Sequence, residues 1–148
     1  MDPAHPSPAI AGALSAPQRA FLDAPLFATV ATTDANGAPR QAVIWYRLED
    51  DGRITLNSRL TRFWPANLQR DGRLSLAVIG PDGYSWLGLT GRVAEVDDDP
   101  ERALADIVAL AWRYHPDGPD PADLASYAAY PRITFRVAID GVHDHLED

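Results

Sequence analysis

No cysteine occurs among the 148 residues, and no lysine either, so all thirteen basic side chains are arginine. Without thiols there can be no disulfide, thiolate metal site or cysteine nucleophile, which fits a cytoplasmic protein. Without lysine, Schiff-base chemistry on this chain is excluded. Long apolar runs are missing, so no membrane span is expected, and the opening MDPAHPSPAIAGA lacks the basic region and apolar core of a secretory signal. Positive charge is scarce overall. A formal net charge of -8 argues against a nucleic-acid binder, because phosphate neutralisation needs a basic face. No G-x-S-x-G elbow, P-loop or G-x-G-x-x-G run is present, which removes the common serine-hydrolase and nucleotide signatures.

With 46% hydrophobic residues, the chain has material for one core. We expect a flexible, Pro/Ala-rich tail over residues 1–14 and a single domain over 15–148. Ser15 followed by Pro17 signals the N-cap and first turn of a short helix ending before Pro25. From Leu26 the pattern turns to β: LFATVATT, PRQAVIWYRLE and RITLNS are punctuated by Asn36-Gly37 and Asp51-Gly52, both strong hairpin signals. These three runs predict an antiparallel meander. In the second, Ala42, Ile44, Tyr46 and Leu48 alternate with Gln41, Val43, Trp45 and Arg47, so one face is core and the other is mixed polar and aromatic. The mixed face suits the floor of a flat, partly polar ligand, and Trp45 equally suits a core or dimer-interface position.

The stretch Ile54 to Val78 carries the densest signal. A strand ending in Asn57-Ser58-Arg59 feeds a helix with Thr61 as its expected N-cap, Trp64 and Leu68 on one face, Asn67 beside them, and Asp71-Gly72 as its end. The free N–H groups of such a helix start, beside Arg59 and Arg62, attract an anion. A hairpin follows, LSLAVIG-PDG-YSWLGLTGRVAEV, with Tyr84 and Trp86 on one face and Gly88 and Gly91 marking a bulge or a close backbone approach. Asp97 to Asp99 open a helix with apolar Leu104, Ile107, Val108, Ala111 and Trp112, where the macrodipole accounts for the acids. His115 to Asp123 forms a loop, a short helix runs through Tyr127, and Ile133, Phe135, Val137 and Ile139 share one side of a last strand. His143 and His145 share a strand side but lack a third ligand nearby, so no metal site is expected. The total is about six strands and three or four helices, a mainly β, six-stranded antiparallel barrel.

The segments LFATVATTDANGAPRQAVIWYRLEDDGRITLNSR, R-x-W-x-x-N-L-x-R-D-G-R-L-S-L and YSWLGLTGRVAEV together resemble the pyridoxamine 5′-phosphate oxidase-like (PNPOx-like, FMN-binding) split-barrel flavoproteins, most closely the branch that uses the deazaflavin coenzyme F420. The resemblance implies a homodimeric oxidoreductase acting on a planar, conjugated small molecule, with F420, or alternatively FMN, in a groove between chains. It implies a cofactor site built from Gln41, Val43, Trp45, Asn57, Ser58, Arg59, Arg62, Trp64, Asn67 and Trp86, the phosphate lying near Ser58, Arg59 and Arg62 with Asn67 supporting the helix. Relatives often carry a lysine where this chain has Trp64, which leaves the two arginines to supply the charge. A non-catalytic binder of a flavin or tetrapyrrole is the competing implication.

Overall fold

The computed structural model describes residues 14–146, so the tail expected over 1–14 lies, apart from Leu14, outside the described residues. Leu14 itself packs on the core. In chain order the elements are α1 (Ala16–Asp23), β1 (Ala28–Thr33), β2 (Pro39–Ile44), β3 (Arg47–Leu48), β4 (Ile54–Arg59), α2 (Phe63–Arg70), β5 (Arg73–Ile79), β6 (Trp86–Asp97), α3 (Pro100–Tyr114), α4 (Pro121–Ala128) and β7 (Arg132–His145).

The strands form one antiparallel sheet in the order β2-β1-β5-β6-β7-β4-β3. The expected six strands are therefore seven, and the expected meander is not formed. The run PRQAVIWYRLE breaks at Trp45-Tyr46 into two strands that lie at opposite edges of the sheet. This break dictates the shape. Six inter-strand gaps would hold the edges of a flat sheet roughly 29 Å apart, whereas the three Cα steps from Ile44 to Arg47 reach about 11 Å. The sheet must therefore curl until its edges nearly meet, and the result is a split barrel.

The C-terminal end of α3 ties down this crossover. Arg113 Nε–H donates to the Tyr46 carbonyl (2.9 Å), its terminal nitrogens donate to the carbonyls of Leu22, Asp23 and Ala24, and the Tyr46 hydroxyl donates to Leu22 (2.9 Å). Burial pushes the Tyr46 phenol far above its ordinary range, with Tyr114 adding to the rise, so it stays a neutral donor.

Alternation places the core. Val30, Leu56, Leu76, Leu89, Phe135 and Val137 line the barrel interior, with Leu22 of α1 and Trp64 and Leu68 of α2 closing it. The predicted faces of β7 and of α2 are observed, since Ile133, Phe135, Val137, Ile139, Trp64 and Leu68 are all buried. β4 is buried on both faces because α3 covers its outer side with Ala103, Ile107, Leu110 and Ala111. Trp112, expected among these, is instead half-exposed. Gly37 (φ +89°) and Gly52 (φ +88°) complete the two anticipated hairpin turns in the left-handed region.

Local expectations fare unevenly. Ser15 caps α1 in a reciprocal capping box with Gln18. Asp99 caps α3, and Asp97 is engaged by Arg102 at 2.7 Å. The N-cap of α2, however, is Arg62 and not Thr61, because Leu60 and Thr61 form a turn and the helix begins only at Phe63. No side chain caps it. At its other end the chain runs straight into β5 through an extended Asp71, so Gly72 supplies no left-handed stop. Tyr84 lies in the turn before β6, which starts at Trp86, and is not on the strand.

Candidate functional site

β4 ends in Asn57-Ser58-Arg59, and its antiparallel register sets Arg59 directly opposite Arg132, the first residue of β7. The turn after β4 returns Arg62 to the same end of the sheet. Arg59 spreads over the Tyr130 ring at 3.9 Å, and Arg132 lies 5.5 Å from the Tyr127 ring. Arg132 Nε–H donates to Asn57 Oδ1 at 2.8 Å, while Asn57 Nδ2 donates to the Ala103 carbonyl (2.9 Å) and Thr134 Oγ1 (3.0 Å). Among the described residues, none of the three arginines has a carboxylate within 4.0 Å.

The cost of gathering them registers on Arg132. Burial, then repulsion from Arg59 and Arg62, lowers its pKa to about 10. It remains protonated at neutral pH, so three positive charges meet with no carboxylate paired to them among the described residues. An incoming anion would relieve this repulsion, and a cation perturbed by burial and like charge beside a cavity is a candidate functional group.

The cluster opens into a cavity of about 300 Å³. Arg62, Arg132, Asn57 and Ser58 give it polar lining, Val43, Ile44 and Trp45 come from the β2 end and the crossover, and Trp64, Phe27, Ile107 and Tyr127 supply the rest. Trp45 is held nearly parallel to Tyr114 (centroids 4.8 Å apart, planes 9° apart) with His115 against its edge. That packing makes Trp45 a rigid wall. Trp64, at the place where the resemblance leads one to expect a lysine, is 3% exposed and packs 6.0 Å from Phe135, so it adds apolar wall and no charge.

Six of the ten residues singled out from the sequence thus meet at one cavity: Val43, Trp45, Asn57, Ser58, Arg62 and Trp64. Arg59 sits beside it, acting on Arg132 through charge. Asn67 lies elsewhere. It is buried, donates to Thr32 Oγ1 (3.0 Å) and Asp34 Oδ1 (2.8 Å), accepts from Arg70 (2.8 Å), and so pins α2 to β1. Gln41 and Trp86 line a separate groove of about 440 Å³ on the outer face of the sheet, where small side chains (Ala31, Ser75, Ala77, Gly88) leave a shallow floor. There Trp86 packs against both His143 (5.0 Å) and His145 (5.4 Å). Among the described residues no group of three His, Cys, Asp or Glu could hold a metal ion.

Arg132 and Tyr127 were missed by the sequence reading. Their only local signal is a cation and an aromatic near a strand start, and their importance depends on β7 pairing with β4 across more than seventy residues.

Several known proteins share this architecture. An F420 reductase superposes with a TM-score of 0.73 at 25% identity, over 84% of this chain and 94% of that one. A conserved hypothetical protein, Rv2991 from Mycobacterium tuberculosis, gives 0.70 at 23% identity over 89% and 86%. HutZ, the heme storage protein from Vibrio cholerae, gives 0.64 at 14% identity over 85% and 90%. No curated protein matches the sequence. Residues 14–144 match the family described as pyridoxamine 5′-phosphate oxidase. With that span and this curled antiparallel sheet, the chain belongs to the pyridoxamine 5′-phosphate oxidase family.

Proposed function

We propose that this chain is an oxidoreductase that binds the deazaflavin coenzyme F420, with FMN as the alternative, and exchanges hydride with a planar, conjugated small molecule. The observation that carries this reading is a trio of arginines, two lining and one beside a cavity walled by stacked tryptophan, with no carboxylate paired to them among the described residues. Arg62 and Arg132 would hold the anionic end of the coenzyme, steadied by Asn57 and Ser58, with Arg59 adding charge from beside the cavity. Val43 and Trp45 would flank the ring, and buried Trp64 and Ile107 would exclude water. The bound coenzyme supplies the hydride, while the protein supplies binding, orientation and a low-dielectric wall. Similarity to an F420 reductase supports the choice of deazaflavin over FMN.

A homodimer is part of the proposal. Val43, on edge strand β2, is 72% exposed, and the adjoining sheet face of small side chains is flat enough for a second copy to cover. We further propose a cytoplasmic location, supported by the cysteine-free composition.

A second reading is favoured by the cavity lining, which holds no carboxylate or histidine. On that reading the chain stores a planar anion such as a flavin or tetrapyrrole without turnover, as the likeness to a heme storage protein suggests. Fluorescence titration of the purified protein with F420 and FMN, followed by steady-state assays of reduced deazaflavin against enones, quinones and bilins, separates the two. An enzyme oxidises the deazaflavin with at least one acceptor. A storage protein gives a spectral shift and no oxidation.

A further inference from the structure

Five tyrosines occur in the chain, and the fold commits four of them elsewhere. Tyr46 is fully buried with its hydroxyl on the Leu22 and Ala24 carbonyls, and Tyr114 donates to the Leu26 carbonyl at 2.5 Å. Tyr84 lies 76% exposed in the β5–β6 turn, and Tyr130 lies under Arg59 outside the cavity. Tyr127 differs from all of these. It projects from α4 to line the 300 Å³ cavity and also a neighbouring one of about 470 Å³, so that with Arg132 it forms their common wall. Among the described residues its hydroxyl makes no hydrogen bond. Among the described residues the cavity lining offers no carboxylic acid or imidazole, which leaves this phenol as the acid of suitable strength there.

We propose that Tyr127 is the catalytic proton donor of the reaction, an assignment that rests on the oxidoreductase reading above. The acceptor is then a conjugated carbonyl compound. The bound coenzyme would supply a hydride, and with it two electrons, to the β-carbon of this acceptor, and would itself be oxidised. The C=C π electrons shift toward the carbonyl, whose oxygen takes the Tyr127 proton as an O–H bond forms and the phenolic O–H breaks. The enol tautomerises to the saturated ketone, and water returns a proton to the phenolate.

The groups facing Tyr127 are Arg132 from β7, Arg62 ahead of α2, Asp123 on its own helix, and Asp98 and Glu101 across the second cavity. Partial burial and then Asp123 raise its pKa, with Arg132 opposing, so the phenol is protonated at neutral pH.

The test is Tyr127→Phe, checked for a wild-type circular dichroism spectrum and Tm. We expect unchanged coenzyme affinity, a KM within about threefold of wild type, and a kcat lower by about 100-fold, the usual contribution of a general acid. The alkaline fall in the kcat–pH profile should disappear in the variant. Without coenzyme, wild type should bind 4-nitrophenolate, a coloured mimic of the acceptor oxyanion, at least fivefold more tightly than the variant. Equal kcat in an active pair, or equal phenolate binding, overturns the Tyr127 assignment alone. Wild-type protein that titrates with coenzyme yet reduces no conjugated carbonyl overturns the oxidoreductase reading beneath it.

Discussion

Asn57 Oδ1 accepts the Nε–H of Arg132 at 2.8 Å, and through this one bond a residue of β4 aims a cation contributed by β7. Every polar side-chain atom of Asn57 is engaged, two of its bonds holding α3 and Thr134. Arg132 is thus oriented while, among the described residues, no carboxylate pairs with its charge, an arrangement that spends native-state stability on holding a cation ready for an anion.

Replacing Arg132 by Met keeps the apolar stem and removes the crowded charge. The free protein should be about as stable as wild type, because relief of the burial and of the two like charges that disfavour the cation offsets the loss of the donor to buried Asn57 Oδ1. Coenzyme affinity should fall by about 1.5–3 kcal/mol, the worth of a charge-assisted bond. Urea denaturation and fluorescence titration measure the two effects, and unchanged affinity would remove Arg132 from the site.

Arg62→Ala should weaken coenzyme binding by a similar 1.5–3 kcal/mol. The effect should shrink only modestly at higher salt, since Arg62 lines a partly enclosed cavity and is less screened than a surface charge. Titrations at low and high sodium chloride decide this; a difference that vanishes with salt would mean that Arg62 acts only through the long-range field.

Gly91 permits β6 and β7 to approach at the register shift between Thr90 and Gly91. A Cβ there would lie 2.3 Å from the Ala138 carbonyl oxygen, a backbone atom that cannot step aside. Gly91→Ala should cost about 2–4 kcal/mol through strand displacement. A chemical denaturation midpoint equal to wild type would contradict the close approach.

The Tyr114 hydroxyl joins three segments: it donates to the Leu26 carbonyl, lies 3.2 Å from the Tyr46 carbonyl, and accepts the Tyr46 N–H at 3.1 Å. Tyr114→Phe leaves the stack on Trp45 in place but strands a half-buried N–H at the crossover. Stability should drop by about 1–2 kcal/mol, with faster amide exchange at Tyr46. Native-state hydrogen exchange reports on this residue directly.

Glu49 accepts hydrogen bonds from Thr55 (2.5 Å) and Arg47 (2.8 Å). Partial burial alone would raise its pKa, yet these two partners outweigh burial and hold it below the ordinary 4.5. A depressed carboxylate pKa stabilises the fold above the unfolded value and loses that contribution as pH falls through the folded one. Glu49→Gln should therefore cost about 1 kcal/mol at pH 7, and the gap from wild type should close below pH 4.5. A gap that persists in acid would assign the effect to packing.

Local chemistry settled much of this molecule. Asn36-Gly37 and Asp51-Gly52 signalled turns, Ser15 followed by Pro17 signalled a helix start, and strict alternation sorted the two faces of β7, because each of these depends on residues a few positions apart. The arginine-rich turn after β4 was legible for the same reason. Tertiary structure decided the rest. That β2 and β3 stand at opposite edges follows from which backbone groups find partners once the sheet curls, and no two-residue period records it. The partners that let Asn67 support its helix, Thr32 and Asp34, lie more than thirty residues away, and only the fold brings them to its amide. Arg132 and Tyr127 became part of the site only when β7 paired with β4, since charge repulsion and a shared cavity wall exist between residues that the chain itself holds far apart.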